Sequence, residues 1–149
     1  MGKLRKILGM IATVAALSTT ILVIAPAAAQ AAPVPCGRKV RACIDLSANK
    51  AWLMDFNGRV TYGPVRITSG RPGYRTPPRV FKVIWKDRDH WSNEFDAPMP
   101  YSVFFTNTGI AFHEGSLSVQ SHGCIHLGHT AAVRFFNKLR PGNVVAVQR

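Results

Sequence analysis

The sequence predicts a mainly β fold that carries a single helix, at about residues 130–140. From Val40 onward, short apolar segments are separated by Gly, Pro and Asn turn signals, the pattern of strands joined by hairpins. Only Gly128 to Arg140 repeats its apolar residues, Ala132, Phe135, Phe136 and Leu139, at helical spacing. At 149 residues the chain has room for one domain and little else.

Residues 1–31 stand apart from that domain, which then occupies residues 32–149. Lys3, Arg5 and Lys6 open the chain, Ile7 to Ile24 is mostly apolar, and Pro26 to Ala32 is rich in small residues. Together these read as a secretory signal peptide cleaved after Ala31, in an A-x-A setting. The competing reading is an uncleaved membrane anchor, because the apolar run approaches the length of a spanning helix. No basic stop-transfer cluster follows directly, which favours cleavage.

Val40 to Leu46 and Lys50 to Asp55 are two apolar-rich strands, and Asn57 with Gly58 marks a tight turn into Arg59 to Ser69. Pro64 argues for an edge position or a bulge in that third strand. Ser69 to Pro78 is a loop by composition. Val80 to Lys86 reads as a strand with Phe81, Val83 and Trp85 on one face. Asp87 to Asp96 reads as a polar connection, and its carboxylates and His90 lack a recognised metal-ligand spacing. Tyr101 to Thr106 and Gly109 to His113 form a hairpin in which Ile110 and Phe112 share one face while Ala111 and His113 share the other. Thr130 is the candidate N-cap of the helix and Pro141 with Gly142 its stop. Asn143 to Val147 closes the fold as a last strand.

Chemistry concentrates in SVQSHGCIHL, residues 118–127. Cys124 lies two residues after His122 and two before His126, with Gly123 beside it. A thiol works as a nucleophile only as its thiolate, which nearby imidazoles and backbone N–H groups favour. The base is either His113 or His122. The N–H groups of Gly123 and Cys124 are candidate oxyanion donors, with the Tyr101 hydroxyl as a third. Ser121 and His126 flank the nucleophile as candidate substrate contacts. Of the three cysteines, Cys36 and Cys43 are close in sequence and have no histidines around them, so they are paired as a disulfide, and Cys124 is the odd thiol.

These residues also resemble a family. TYGPVRITSG, RTPPRVF, APMPYSVFF, GIAFHEG and SHGCIHL follow, in order, the blocks of the L,D-transpeptidases of bacterial cell walls, the YkuD-type catalytic domain. Periodicity alone does not choose between a sandwich and a barrel; the resemblance implies the mixed β-sandwich of that family. It also implies that His113 takes the thiol proton, leaving His122 a supporting role that faces substrate, that a backbone carbonyl near Glu114 or Gly115 orients His113, and that the loop from Ser69 to Pro78 is one wall of the substrate groove rather than a plain connection. The implied reaction is attack of the Cys124 thiolate on the L,D bond of a peptidoglycan stem tetrapeptide. D-Alanine leaves, and an amine of a neighbouring stem takes up the thioester. No cofactor and no metal are implied. Three departures stand out: His126 occupies a position where the family commonly has Arg or Asn, the span from His113 to Cys124 is short, and Pro78-Arg79 lacks the usual glycine of that block.

The chain carries +12, and removal of Lys3, Arg5 and Lys6 leaves +9 on the remainder. Such a surface is drawn to polyanions. No nucleic-acid motif accompanies the charge, so anionic cell-wall polymers are the expected partners beside the stem peptides, and the protein is expected in the wall or outside the cell, touching the membrane only through an uncleaved leader. Three rival readings remain: an L,D-carboxypeptidase or other exported cysteine hydrolase, a non-catalytic wall-binding module, and a zinc or copper binder using His113, His122, Cys124, His126 and His129. Oligomeric state leaves no mark in the sequence.

Overall fold

The computed structural model describes residues 35–149, so the expected leader and its cleavage site lie outside the described residues. Along these residues the strands are β1 (Ala42–Asp45), β2 (Lys50–Met54), β3 (Val60–Thr68), β4 (Val80–Lys82), β5 (Trp85–Ser92), β6 (Ala97–Phe104), β7 (Ala111–Glu114), β8 (Ile125–Leu127) and β9 (Val144–Gln148), with helix α1 (His129–Lys138) between the last two. They join in one sheet in the order β4-β9-β1-β2-β3-β8-β7-β6-β5. β1 runs parallel to β9, and β7 runs parallel to β8; the other neighbours are antiparallel.

Alternation along the strands explains how this sheet folds over on itself. Ala42 and Ile44 of β1, Ile67 of β3, Phe112 of β7, Ile125 and Leu127 of β8 and Val145 of β9 all enter one core, although they come from opposite ends of the sheet. The two halves therefore curl around common apolar contents, as in the mixed sandwich that the sequence implies. α1 fills the open side with Ala132 and Phe135, and Phe135 meets Phe112 at 5.1 Å between ring centroids. The outward residue of β1, Cys43, bonds to Cys36 and lies with Trp52, Met54 and Ala146 in a second cluster on the other face.

Several expected boundaries move. Val80 to Lys86 breaks into β4 and the start of β5. Asp87 to Asp96, read as a polar connection, contains most of strand β5 and the turn into β6. β5 is an edge strand paired only with β6, and its burial does not follow its apolar residues, since Trp85 and Trp91 are exposed while Ser92 is buried, so apolar periodicity had little to report. Pro64, by contrast, sits at the expected bulge: the register of β3 with β2 shifts between Tyr62, opposite Leu53, and Val65, opposite Ala51, while β8 pairs only with Ile67 and Thr68. α1 begins at His129 behind Gly128, so Thr130 falls inside the first turn and caps nothing. Its C-terminal end is held instead by Lys86 of β5, whose Nζ donates to the carbonyls of Phe136 and Leu139 and lies 4.1 Å from the Phe136 ring centre. Burial there pulls the ammonium below its ordinary range.

The disulfide closes a short loop between positions separated by seven residues. On loop-closure entropy, Cys36→Ser with Cys43→Ser should lower the unfolding free energy by about 2 kcal/mol in urea titration. Alkylation of Cys124 in the folded variant should proceed at the rate of the parent protein; a matching loss at Cys124 would mean that this corner of the fold supports the distant thiol.

Candidate active site

The site is built by the parallel pair β7–β8. Phe112 lies opposite Ile125 and His113 opposite His126, so the two apolar side chains enter the core and the two imidazoles share the other face. Continuing the alternation backward from His126 places Cys124 on that same face, diagonal to His113. Cys124 is the free cysteine of the described residues and is partly exposed. It packs against Met99, Phe104 and Ala111. Cys124, His113, His126, Met99 and Phe104 line a cavity of about 690 Å³ that the β5–β6 hairpin overhangs with His90, Trp91 and Phe95.

His113 is 6% exposed and its Nδ1 lies 2.7 Å from the Glu114 carbonyl oxygen. A carbonyl only accepts, so Nδ1 carries the proton and Nε2 keeps its lone pair. Burial first, and then the neighbouring His126 and His90, push the imidazole down to about 4. The Cys124 thiol is shifted the other way, raised by burial against a backbone hydrogen bond from Ala111 that works to lower it. Its Sγ lies 3.8 Å from the Gly109 carbonyl oxygen. Thiol and imidazole therefore rest uncharged together at neutral pH.

The loop before Cys124 is tied down from three sides. Ser121 bridges to Gly70, donates its backbone N–H to Ser69 O at 3.0 Å, and accepts the Arg71 N–H at 3.0 Å. Its hydroxyl donates to Cys124 O at 2.6 Å and accepts the Gly123 N–H at 3.0 Å. The buried Thr76 hydroxyl donates to Gly123 O at 2.7 Å. Gly123 sits at φ 121°, a conformation that side-chain-bearing residues rarely adopt, and this is what turns the chain sharply before Cys124.

Three expectations are corrected by this geometry. The Gly123 N–H points at Ser121 and is not an open oxyanion donor; the Cys124 N–H, which has no partner among the described residues, remains. Ser121 lines the cavity, but its hydroxyl already serves two partners inside the loop. Tyr101 does not reach the cavity: it packs on Phe136 and His129 at the helix and lies under Arg88. The cause is its left-handed backbone, φ 59°. Met99 and Phe104 both line the cavity although an odd number of steps separates them, so the alternation of β6 changes phase, and Tyr101 falls on the helix side.

His122 and His126 both line the cavity, in different ways. His122 is exposed, and its Nε2 lies 2.6 Å from Nη2 of Arg71. A guanidinium only donates, so that lone pair is occupied and His122 is a poor base beside His113. The ring is stacked on Phe95 at 4.5 Å and meets the edge of Tyr74 at 4.7 Å. His126 meets His113 edge to face at 4.8 Å, and its Nδ1 lies 3.0 Å from Ser116 O and 3.1 Å from Thr68 Oγ1. Gly115 makes room for it, since a Cβ there would come within 2.7 Å of the ring. His129 pairs with Glu114 at 2.8 Å. Among the described residues, no three His, Cys, Asp or Glu side chains converge on a point that could hold a metal ion. Arg71 and Tyr74 belong to the 69–78 loop that the resemblance places along the substrate groove, but neither they nor Phe95 could be singled out, because they lie in loops far apart in sequence, where spacing carries no signal.

The depressed imidazole has a consequence for stability. As pH falls below 6.5 the unfolded chain takes up a proton at this ring, whereas the folded chain does not until pH about 4. Stability attributable to His113 is thus present above pH 6.5, is lost between 6.5 and about 4, and the loss levels off below that; from the width of the window it is on the order of 3 kcal/mol. Urea unfolding at pH 7.5 and pH 4 should show a smaller acid-induced loss in His113→Gln than in the parent, and equal losses would exclude a buried neutral ring.

The family model of the L,D-transpeptidase catalytic domain, YkuD, matches residues 39–147. No curated protein sequence matches the chain. Among solved structures, an L,D-transpeptidase (Yku) from Stackebrandtia nassauensis is 27% identical, with a TM-score of 0.68 over 72% of this chain and 54% of that one. An L,D-transpeptidase from Mycobacterium tuberculosis H37Rv is 24% identical, with a TM-score of 0.68 over 76% of this chain and 59% of that one. L,D-transpeptidase 3 from Mycobacterium tuberculosis, solved in complex with a faropenem-derived adduct, is 23% identical, with a TM-score of 0.68 over 76% and 61%. The chain spans between half and two thirds of the length of these proteins, and the two mycobacterial likenesses speak to the fold. With the family model matched from the first strand into the last, this protein belongs to the YkuD family of L,D-transpeptidase catalytic domains.

Proposed function

We propose that the protein is a peptidoglycan L,D-transpeptidase, exported to the cell wall, with Cys124 as nucleophile and His113 as general base. The observation that carries this reading is a free thiol opening into a cavity on the same face as an imidazole whose Nδ1 is fixed and whose Nε2 has no partner among the described residues. In the first half-reaction His113 Nε2 takes the thiol proton as sulfur bonds to the carbonyl carbon of the L,D bond. The Cys124 N–H faces the developing oxyanion. As the C–N bond breaks, the imidazolium returns its proton to the departing D-alanine amine, leaving a thioester and a neutral His113.

The second half-reaction repeats the cycle with a new nucleophile. A neutral amine of an adjacent stem attacks the thioester and loses its proton to His113. The C–S bond then breaks, and sulfur recovers the proton. Water in place of the amine would make the same site an L,D-carboxypeptidase. The basic remainder of the chain supports retention on anionic wall polymers, and the cysteine pair Cys36–Cys43 suits an oxidising compartment.

Because the thiol and imidazole rest neutral, a proton must move with each attack, and losing either partner should be costly. Cys124→Ala should abolish turnover of stem tetrapeptides and mass addition by a carbapenem. His113→Ala should lower the acylation rate by roughly 10²–10⁴-fold with the fold intact, the range expected for a general base. Product mass with an added amine acceptor separates the outcomes: crosslinked dimers support the transferase, and hydrolysed tripeptide alone would assign the protein to the carboxypeptidases.

A further inference from the structure

We propose that Arg71 and His122 form a carboxylate-binding subsite at the mouth of the cavity, which holds a free carboxylate of the donor stem peptide. This deepens, and rests on, the reading above. Arg71 comes from the loop after β3, where its backbone is fixed at both ends: its N–H donates to Ser121 O at 3.0 Å and its carbonyl accepts the Tyr74 N–H at 2.9 Å. Its guanidinium lies 4.9 Å from the Tyr74 ring centre and places Nη2 2.6 Å from His122 Nε2. With Nε2 accepting, the ring proton of His122 is on Nδ1, so both side chains present donors and neither presents an acceptor.

Nothing in the described residues answers those donors. The acid-base pairs formed are His90 with Asp87 and His129 with Glu114, and no carboxylate pairs with Arg71. The assembly is nonetheless held in place, because His122 is stacked on Phe95 from the β5–β6 turn and abuts Tyr74. A guanidinium with its remaining N–H groups open, beside an imidazole N–H and on an aromatic platform, matches the planar fork of a carboxylate. Position argues for the same ligand. His122 precedes Cys124 by two residues, at most about 7 Å of chain, and the carboxylate of a single-residue leaving group lies about one residue span beyond the bond that Cys124 attacks. The carboxylate of the leaving D-alanine and a side-chain carboxylate on the third stem residue share this chemistry.

Binding to the full chain carrying Cys124→Ala separates these sources and does not depend on turnover. Three tetrapeptide stems ending in D-alanine would be titrated by calorimetry or by NMR of the His122 ring: the free acid, the C-terminal amide, and the amide of the third residue's side chain. Arg71→Gln should weaken the free acid by roughly 10- to 100-fold, the loss expected for a charge-assisted hydrogen bond. The same substitution should leave unchanged the affinity of whichever amide lacks the recognised carboxylate, and that identifies the source. Arg71→Lys, which keeps charge and loses the fork, should recover only part of the affinity. Equal weakening of all three peptides would reduce Arg71 to a structural prop for His122, and no weakening of any would remove the subsite; either result overturns the proposal. Failure of the parent enzyme to turn over the free acid would instead count against the transpeptidase reading, while the acid-against-amide difference would still stand on its own.

Discussion

The arrangement of the site depends on the register of one short parallel pairing. Because β7 and β8 run side by side with Phe112 opposite Ile125, the next residues along, His113 and His126, must face the cavity together. Slipping either strand by one residue would send an imidazole into the core and a large apolar side chain into the cavity. Phe112 is fully buried between Phe105 and Phe135, with ring centroids 5.1 Å away in each case, and Ile125 is fully buried beside it. Those apolar contacts are each worth a few kcal/mol, so the register of the catalytic face is enforced from the opposite face. Stability and chemistry here use the two sides of the same strands.

This division also explains what could be read from the sequence. Alternation placed His113 away from Phe112, and the SHGC block singled out Cys124, because both signals are local. The helix was visible for the same reason, with Phe135 and Leu139 at helical spacing. Tyr101 was misplaced because a single left-handed residue reverses the phase of β6, and nothing in MPYSVFF marks that reversal. β5 was missed because an edge strand overhanging a cavity needs no continuous apolar face. The partnership of Arg71 with His122 arises where two loops are brought together by the bridge from Gly70 to Ser121, a contact that no spacing rule encodes.

Reading the loop in three dimensions changes the part its residues play. Ser121 and Gly123, which look catalytic by proximity, are consumed in holding one another: a hydroxyl that both accepts from the Gly123 N–H and donates to Cys124 O makes a closed turn. Thr76 fixes the outer carbonyl of the same turn. The result is that the Cys124 N–H and the thiol are carried on a segment with little freedom, so less ordering has to accompany attack. What the turn loses in oxyanion donors it returns as preorganisation.

His126 shows how burial and charge must agree at the base. An arginine at this position would set a permanent cation beside a ring that burial already keeps from protonating. Here the neighbour is an imidazole, itself lowered by burial and anchored to Ser116 and Thr68. It can stay neutral while His113 is neutral, so the dry face of the site holds no uncompensated charge at rest. Gly115 is the condition for this, since any side chain there would occupy the space of the His126 ring. Gly115 and His126 therefore act together, a residue without a side chain leaving room for an imidazole that sets no permanent charge beside His113.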